Sequence, residues 1–235
     1  MSTEPLVDWL ARMQANASRA RDGRLRRFYE AWQTPGNTPL RDVPLAALDV
    51  ETTGLDPGRH SIVSIGIVPF DLDRIGFSRR KHWIVRPRFP LQELSVTLHH
   101  ITHSDLEAAP DLDEVLDEVL GALAGRLPVV HYRQIERAFM DSAVRFRLDE
   151  PIEFPVIDTM ELEARLYRQS LGARFKRWLG RRPVSIRLHD SRLRYGLPAY
   201  QPHHAALDAL ATAELLQAQV AARFDPESPV RDFWC

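Results

Sequence analysis

Ala46-Ala47-Leu48 is an apolar run that leads without a break into Asp49-Val50-Glu51 and stops at the turn Thr52-Thr53-Gly54, followed by Leu55. Such a run, closed by a glycine turn, predicts a buried strand over residues 45–50. Alternate residues of a strand share a face, so Asp49 and Glu51 project from one side and Val50 from the other. Two like charges held side by side repel, and a cation between them removes that penalty. Magnesium and manganese prefer carboxylate oxygens and serve phosphate chemistry, so a hard divalent ion fits the pair. A solvated acidic strand end would carry the same letters, and the choice depends on the rest of the chain.

The 235 residues are 44% hydrophobic and 27% charged, which suits one well-cored domain with additions. The formal net charge of -1 is unevenly spread, and local basic patches matter more than totals for nucleic-acid binding. The single cysteine, Cys235, excludes an internal disulfide framework and a cysteine-rich zinc site, and it fits a reducing compartment. No apolar run reaches the length of a membrane span, and the first residues lack the basic-then-apolar layout of a signal peptide. The expectation is a cytoplasmic protein with no membrane partner.

Ahead of the acidic strand, Leu6, Trp9, Leu10 and Met13, then Leu25, Phe28, Tyr29 and Trp32, fall at helical spacing and predict two short amphipathic helices. Arg12, Arg19, Arg21, Arg24, Arg26 and Arg27 outnumber the acids there. They form either the solvated face of helices docked on the main domain or an arm for a protein partner or nucleic acid. Thr34-Pro35-Gly36-Asn37-Thr38-Pro39 reads as a linker. The expected organisation is a helical extension and linker over 1–39, a main domain over 40–222 and a tail over 223–235. The tail, with Pro226, Pro229 and Phe233-Trp234-Cys235, either packs back or engages a partner.

Within the main domain, strands are expected over 45–50, 60–70 and 81–85, joined by Asp56-Pro57-Gly58 and Asp71-Leu72-Asp73 as an antiparallel meander. Helix 112–123, strand 127–130, helix 133–147 with Ile135, Phe139 and Phe146 inward, strand 154–157 and helix 160–168 capped by Asp158-Thr159 follow in order. A last helix spans 204–220. A meander followed by alternating strands and helices indicates an α/β layer with a mixed sheet.

Pro202-His203-His204-Ala205-Ala206-Leu207-Asp208-Ala209 opens that last helix. Asp208 sits in the most apolar helix of the chain, where a charge needs a partner or a metal. Helical geometry puts His204 on the face of Asp208, whereas His203 faces it only from outside the helix.

Asp49-Val50-Glu51-Thr52-Thr53-Gly54-Leu55, together with His203-x4-Asp208 ahead of Ala211-Thr212-Ala213-Glu214, resembles the DEDDh 3′-to-5′ exonuclease family, which includes the proofreading epsilon subunit of DNA polymerase III. His100-Ile101-Thr102 with Asp105-Leu106 and Ala109-Pro110, and Val156-Ile157-Asp158-Thr159, match further segments, so the resemblance covers roughly 44–222. It implies a ribonuclease H-like α/β fold, a mixed five-stranded sheet flanked by helices, with an added N-terminal helical segment. The family's middle motif is a strand ending in His-Asn-Ala with an aspartate five residues after the histidine. Here His131-Tyr132-Arg133-Gln134-Ile135-Glu136 stands in that place. A glutamate keeps the charge and moves it outward by one methylene.

The resemblance further implies two magnesium or manganese ions and the 3′ end of single-stranded DNA, or RNA, as substrate. Asp49, Glu51 and Asp208 would bind one ion, and Asp49 with Glu136 the other. His203 would be the general base, since an imidazole can take a water's proton at neutral pH; His204 is the alternative from helix geometry. Thr52, Thr53, Gly54 and Leu55 would meet the terminal nucleotide, with His131 beside them. Arg165, Arg168, Arg174, Lys176, Arg177, Arg181, Arg182, Arg187, Arg192 and Arg194, interspersed with Phe175, Trp178 and Tyr195, suit single-stranded nucleic acid, though a solvated loop would look the same. The competing functions are a nuclease fold that binds without cutting, suggested by the altered middle motif, and an oligoribonuclease-like RNase.

Overall fold

The apolar run before Asp49 forms β1, Leu45–Thr52, the central strand of a five-stranded sheet in the computed structural model, which describes residues 7–89, 101–170, 172, 175, 179–180 and 182–235. β1 pairs antiparallel with β2, Ile62–Phe70, and β2 with β3, Lys81–Ile84. On its other side β1 runs parallel to β4, Leu127–Val130, and β4 to β5, Ile157–Asp158, giving the order β3-β2-β1-β4-β5. The parallel half is buried on both faces, as crossover strands require.

The helices are α1 (Trp9–Arg19), α2 (Gly23–Glu30), α3 (His103–Ala108), α4 (Leu112–Leu123), α5 (Arg133–Leu148), α6 (Thr159–Ala164), α7 (Leu188–Arg194) and α8 (Ala205–Arg223). Their starts follow capping chemistry. Asp8, Asp22 and Asp111 each accept a backbone amide of the first turn, and Thr102 does the same for α3.

One hydrophobic core crosses both expected domain boundaries. Trp9, Met13, Leu25, Phe28 and Trp32 of the N-terminal segment share it with the sheet, and so do Val230, Phe233 and Trp234 of the last residues. Trp32 and Trp234 pack at 6.1 Å between ring centroids, Pro39 bridges to Pro229 and Ile157 to Trp234. Ion pairs run from Arg12 to Glu153, Arg24 to Asp113 and Arg27 to Asp117, so arginines of the first two helices bind them to the body. Among the described residues no helix is long and apolar enough to cross a membrane.

Three local expectations need correction. The strand expected over 154–157 is confined to Ile157–Asp158, because Phe154 and Val156 fill the core without ladder partners while the Val156 amide and carbonyl pair with Cys235. The helix expected to run to 168 is α-helical to Ala164 and continues as a π turn over Arg165–Gln169. Phe146 points outward at 60% exposure: the inward stripe of α5 is Glu136, Phe139, Met140 and Val144, which leaves Phe146 beneath the Arg88 guanidinium. His100, Arg174, Lys176, Arg177, Trp178 and Arg181 lie outside the described residues.

Candidate active site

The cross-strand register sets the site. Asp49 stands opposite Gly66 on β2, and Glu51 opposite Ser64, with a bulge between Glu51 and Thr52 where the ladder ends. A Cβ on Gly66 would lie 2.2 Å from the carbonyl carbon of Ala205. The start of α8 therefore rests directly on bare β2 backbone, and Asp208, within the same first turn, reaches the β1 acids. Carboxylate oxygens of Asp49, Glu51 and Asp208 all lie within 4.8 Å of one another.

Three carboxylates so close strain one another. Burial, then the charges of Asp208, Glu51 and Glu136, push Asp49 well above the usual carboxylate range. Burial and Glu51 also push Asp208 up, against the hydrogen bonds that favour its charged form. Those bonds are specific. Tyr200 Oη donates to Asp208 Oδ1 at 2.7 Å, and the amides of His203 and His204 donate to Oδ2 at 2.8 and 3.0 Å. Behind Tyr200, the buried Arg192 guanidinium sits 4.9 Å from the ring centroid and is itself held by Glu214 and by the carbonyls of Ala211 and Pro198.

The two adjacent histidines differ in their surroundings. His203 lies just outside α8 in the left-handed region, φ 70°, a swing that separates its direction from the helix proper. His204 is the N-cap of α8, and its ring stacks on His82 at 4.5 Å between centroids. His82 Nε2 in turn lies 2.7 Å from Ser64 Oγ. The helix-face geometry that pointed to His204 thus leads its ring to a packing partner on β3.

Glu136 is buried in the first turn of α5, outside the close group of three, yet near enough that its charge acts on Asp49. Among the described residues its Oε2 has no hydrogen-bond partner, and burial raises its pKa well above normal. His131, at the end of β4, turns its Nδ1 to Thr159 Oγ1 at 2.8 Å. That hydroxyl donates to Val130 O, so Nδ1 carries the proton, and burial pushes the imidazole pKa down to about 4. The turn after β1 is braced by its own hydroxyls, Thr52 Oγ1 to Gly54 O and Thr53 Oγ1 accepting from the Ser61 amide. The His60 ring occupies the space a side chain at 54 would need. Leu55 beyond it is 80% exposed.

Part of the basic stretch is structural. Arg192 is buried as described, Arg194 pairs with the fully buried Glu163, Arg168 donates to Val184 O, and Tyr195 Oη donates to Glu163. Sequence reasoning missed Tyr200, Ser64, His82 and Gly66. Of these, Gly66 carried a readable signal, a glycine inside an otherwise Ile- and Val-rich strand, which marks close approach of another backbone.

The crowded carboxylates fit a cation. Oxygen donors of three carboxylates suit a hard divalent ion, and both the raised Asp49 and the partnerless Glu136 Oε2 are what a site built for positive charge would leave without it.

Residues 46–216 match the family model of the RNase T exonucleases. The chain is similar to the PolC-type DNA polymerase III of Thermotoga petrophila, 27% identical over 179 residues, and to that of Staphylococcus aureus, 29% identical over 181. Each match takes in 76% of this chain but 12% and 11% of those polymerases, so the chain spans a small part of these relatives. Among solved structures, it is similar to exonuclease X in complex with 5′-overhanging duplex DNA, with TM-score 0.57, 21% identity and coverage of 79% of this chain and 97% of that one. It is also similar to the nuclease domain of 3′hExo, a DEDDh family member bound to rAMP, with TM-score 0.62, 15% identity and coverage of 77% and 94%. At these identities the structural likeness establishes the ribonuclease H-like fold. Because the family match takes in both the β1 acids and the helix that brings Asp208 to them, the chain belongs to the DEDDh-type 3′-to-5′ exonuclease family.

Proposed function

We propose that this chain hydrolyses phosphodiester bonds from the 3′ end of single-stranded DNA, with RNA as the alternative polymer, releasing nucleoside 5′-monophosphates. The observation that carries the reading is the convergence of Asp49, Glu51 and Asp208 within 4.8 Å, with His203 at the entrance of α8. Asp49, Glu51 and Asp208 would hold one magnesium or manganese ion, and Asp49 with Glu136 a second. When bound, such ions offset charge on the phosphate and on the attacking and leaving oxygens.

The remaining work falls to the chain itself. His203 would accept the proton of the attacking water, its position fixed by the amide that ties it to Asp208. Tyr200 and the two amides keep one Asp208 carboxylate orientation. Thr52, Thr53 and Gly54 would present backbone to the terminal nucleotide, Leu55 would lie against its base, and neutral His131 supports the floor through Thr159. The names of the similar proteins include duplex DNA and the ribonucleotide rAMP as ligands, which supports a nucleic-acid end in general. A second reading, a fold that binds without cutting, has in its favour the place of Glu136 outside the close carboxylate group. With Arg12, Arg24 and Arg27 engaged inside the chain, a protein partner at these helices would use their remaining outer surface.

The test is degradation of a 5′-labelled single-stranded oligonucleotide with magnesium or manganese, beside chelator and Asp49→Ala controls and a parallel RNA lane. A metal-dependent ladder shortening from the 3′ end, absent in the variant, is the expected result. No cleavage of either polymer would favour the non-cutting reading.

A further inference from the structure

Tyr132 stands where the family pattern has asparagine, and its backbone is the least ordinary at the site. It joins β4 to α5 at φ 104° and ψ 70°, a conformation that bulky side chains rarely adopt and that persists where surrounding structure enforces it. Asp158 enforces it here: Oδ1 accepts the Tyr132 amide at 3.1 Å and Oδ2 the Arg133 amide at 3.0 Å. The residue so held is 42% exposed, and its ring makes no hydrogen bond or ring contact among the described residues.

Its location follows from register. β4 runs parallel to β1 with Val129 opposite Ala47, the last pair of that ladder; Asp49 follows Ala47 on β1, and His131 and Tyr132 follow the end of β4 on the same side. This is the carboxyl end of the parallel strands, where α/β sheets bind ligands. One turn into the following helix, Glu136 acts on Asp49 through charge. An exposed aromatic side chain carried on a strained, clamped backbone, at the same end of the sheet as the carboxylates, has little backbone freedom to lose on binding.

We infer that the Tyr132 ring is a stacking platform for a nucleobase in the 3′-terminal stretch of the bound strand. The platform makes substrate affinity depend on a base face as well as on phosphates, and it tolerates any sequence because every base has such a face. This rests on the exonuclease reading above.

The experiment compares steady-state hydrolysis by wild type, Tyr132→Asn and Tyr132→Phe on a labelled DNA oligonucleotide and on one that is abasic throughout its 3′-terminal stretch. Asparagine tolerates positive φ and removes the ring, and phenylalanine keeps it. The expected result for Tyr132→Asn is a KM raised roughly 5- to 100-fold with kcat within about 2-fold, a wild-type KM for Tyr132→Phe, and no difference among the three on the abasic strand. Equal KM for wild type and Tyr132→Asn on the intact strand overturns the proposal, and so does a loss of the same size on the abasic strand. Wild-type protein that cuts neither DNA nor RNA would overturn the exonuclease reading instead. Fluorescence anisotropy of the same oligonucleotides with the same three proteins then decides stacking on its own, by whether Tyr132→Asn weakens binding to the intact strand alone.

Discussion

Gly66 and Ala205 touch backbone to backbone, with no room for a methyl group between β2 and the start of α8. Asp49 is the cross-strand neighbour of Gly66, so this contact sets the distance between the β1 acids and Asp208. Gly66→Ala forces the helix start away; overpacking of this kind destabilises by about 1–3 kcal/mol, and a displacement near 1 Å at a catalytic group lowers rate by about 100-fold. Gly121→Ala is the matched control, since nothing among the described residues lies within 4 Å of a Cβ at that position in α4, and it should stabilise by roughly 0.5–1 kcal/mol with activity unchanged. Urea midpoints and kcat of the two variants check both halves. A fully active Gly66→Ala would show that the contact does not position Asp208.

Asp49→Asn should separate stability from activity. Burial and three neighbouring acids disfavour the Asp49 charge, so a neutral amide of the same shape relieves the metal-free protein by roughly 1 kcal/mol. On the proposed function the same change would remove a carboxylate ligand and should lower kcat/KM by about 100-fold or more. Melting in chelator and hydrolysis in magnesium are the two measurements. A variant less stable than wild type in chelator would contradict the repulsion. Magnesium should also raise the melting temperature of wild type and not that of Asp49→Asn.

How far such relationships were visible in the letters depends on whether they are local. The β1 acids, the apolar run before them and the meander could be read because alternation and turn residues act over a few positions. Asp208 was readable as a charge in an apolar helix. Tyr200 was not, because its bond to Asp208 depends on how the Pro198–Pro202 region folds back over Arg192. The two histidines could not be separated by helical spacing alone, since the left-handed backbone at His203 and the His82 ring beside His204 both arise from tertiary packing. The arginines of 192 and 194 looked like substrate contacts because the sequence does not show that Glu163 and Glu214 wait for them inside the fold.

His131 should make the protein acid-sensitive. Its folded pKa is pushed down to about 4 from an ordinary 6.5, so between these values the unfolded chain holds a proton that the folded chain refuses. Stability from this group is complete above pH 6.5 and falls as pH drops toward 4, by about 3 kcal/mol in all. The buried acids Asp49 and Glu136, with raised values, act in the opposite sense, losing stability as pH rises. The difference between wild type and His131→Asn therefore isolates the imidazole. Unfolding free energies at pH 4.5 and 7.5 should fall more steeply toward acid in wild type. Parallel slopes would mean the ring takes up its proton without penalty in the fold.

Tyr200→Phe tests whether orientation of Asp208 matters separately from its presence. The phenol donates to Oδ1 while two amides hold Oδ2, so removing the hydroxyl leaves the carboxylate in place but free to turn. The ring packs against Arg192, and phenylalanine preserves that contact, so thermal stability should change by about 1 kcal/mol or less. Losing one of the bonds that favour the Asp208 charge also raises its pKa further, and the acid limb of the pH–rate profile should move to higher pH. The magnesium concentration for half-maximal rate should rise by roughly 10-fold, the scale on which groups that orient metal ligands act, while KM for the oligonucleotide stays constant. An unchanged magnesium dependence combined with an unchanged acid limb would mean that the amides of His203 and His204 suffice, and that the phenol serves the packing of Arg192 alone.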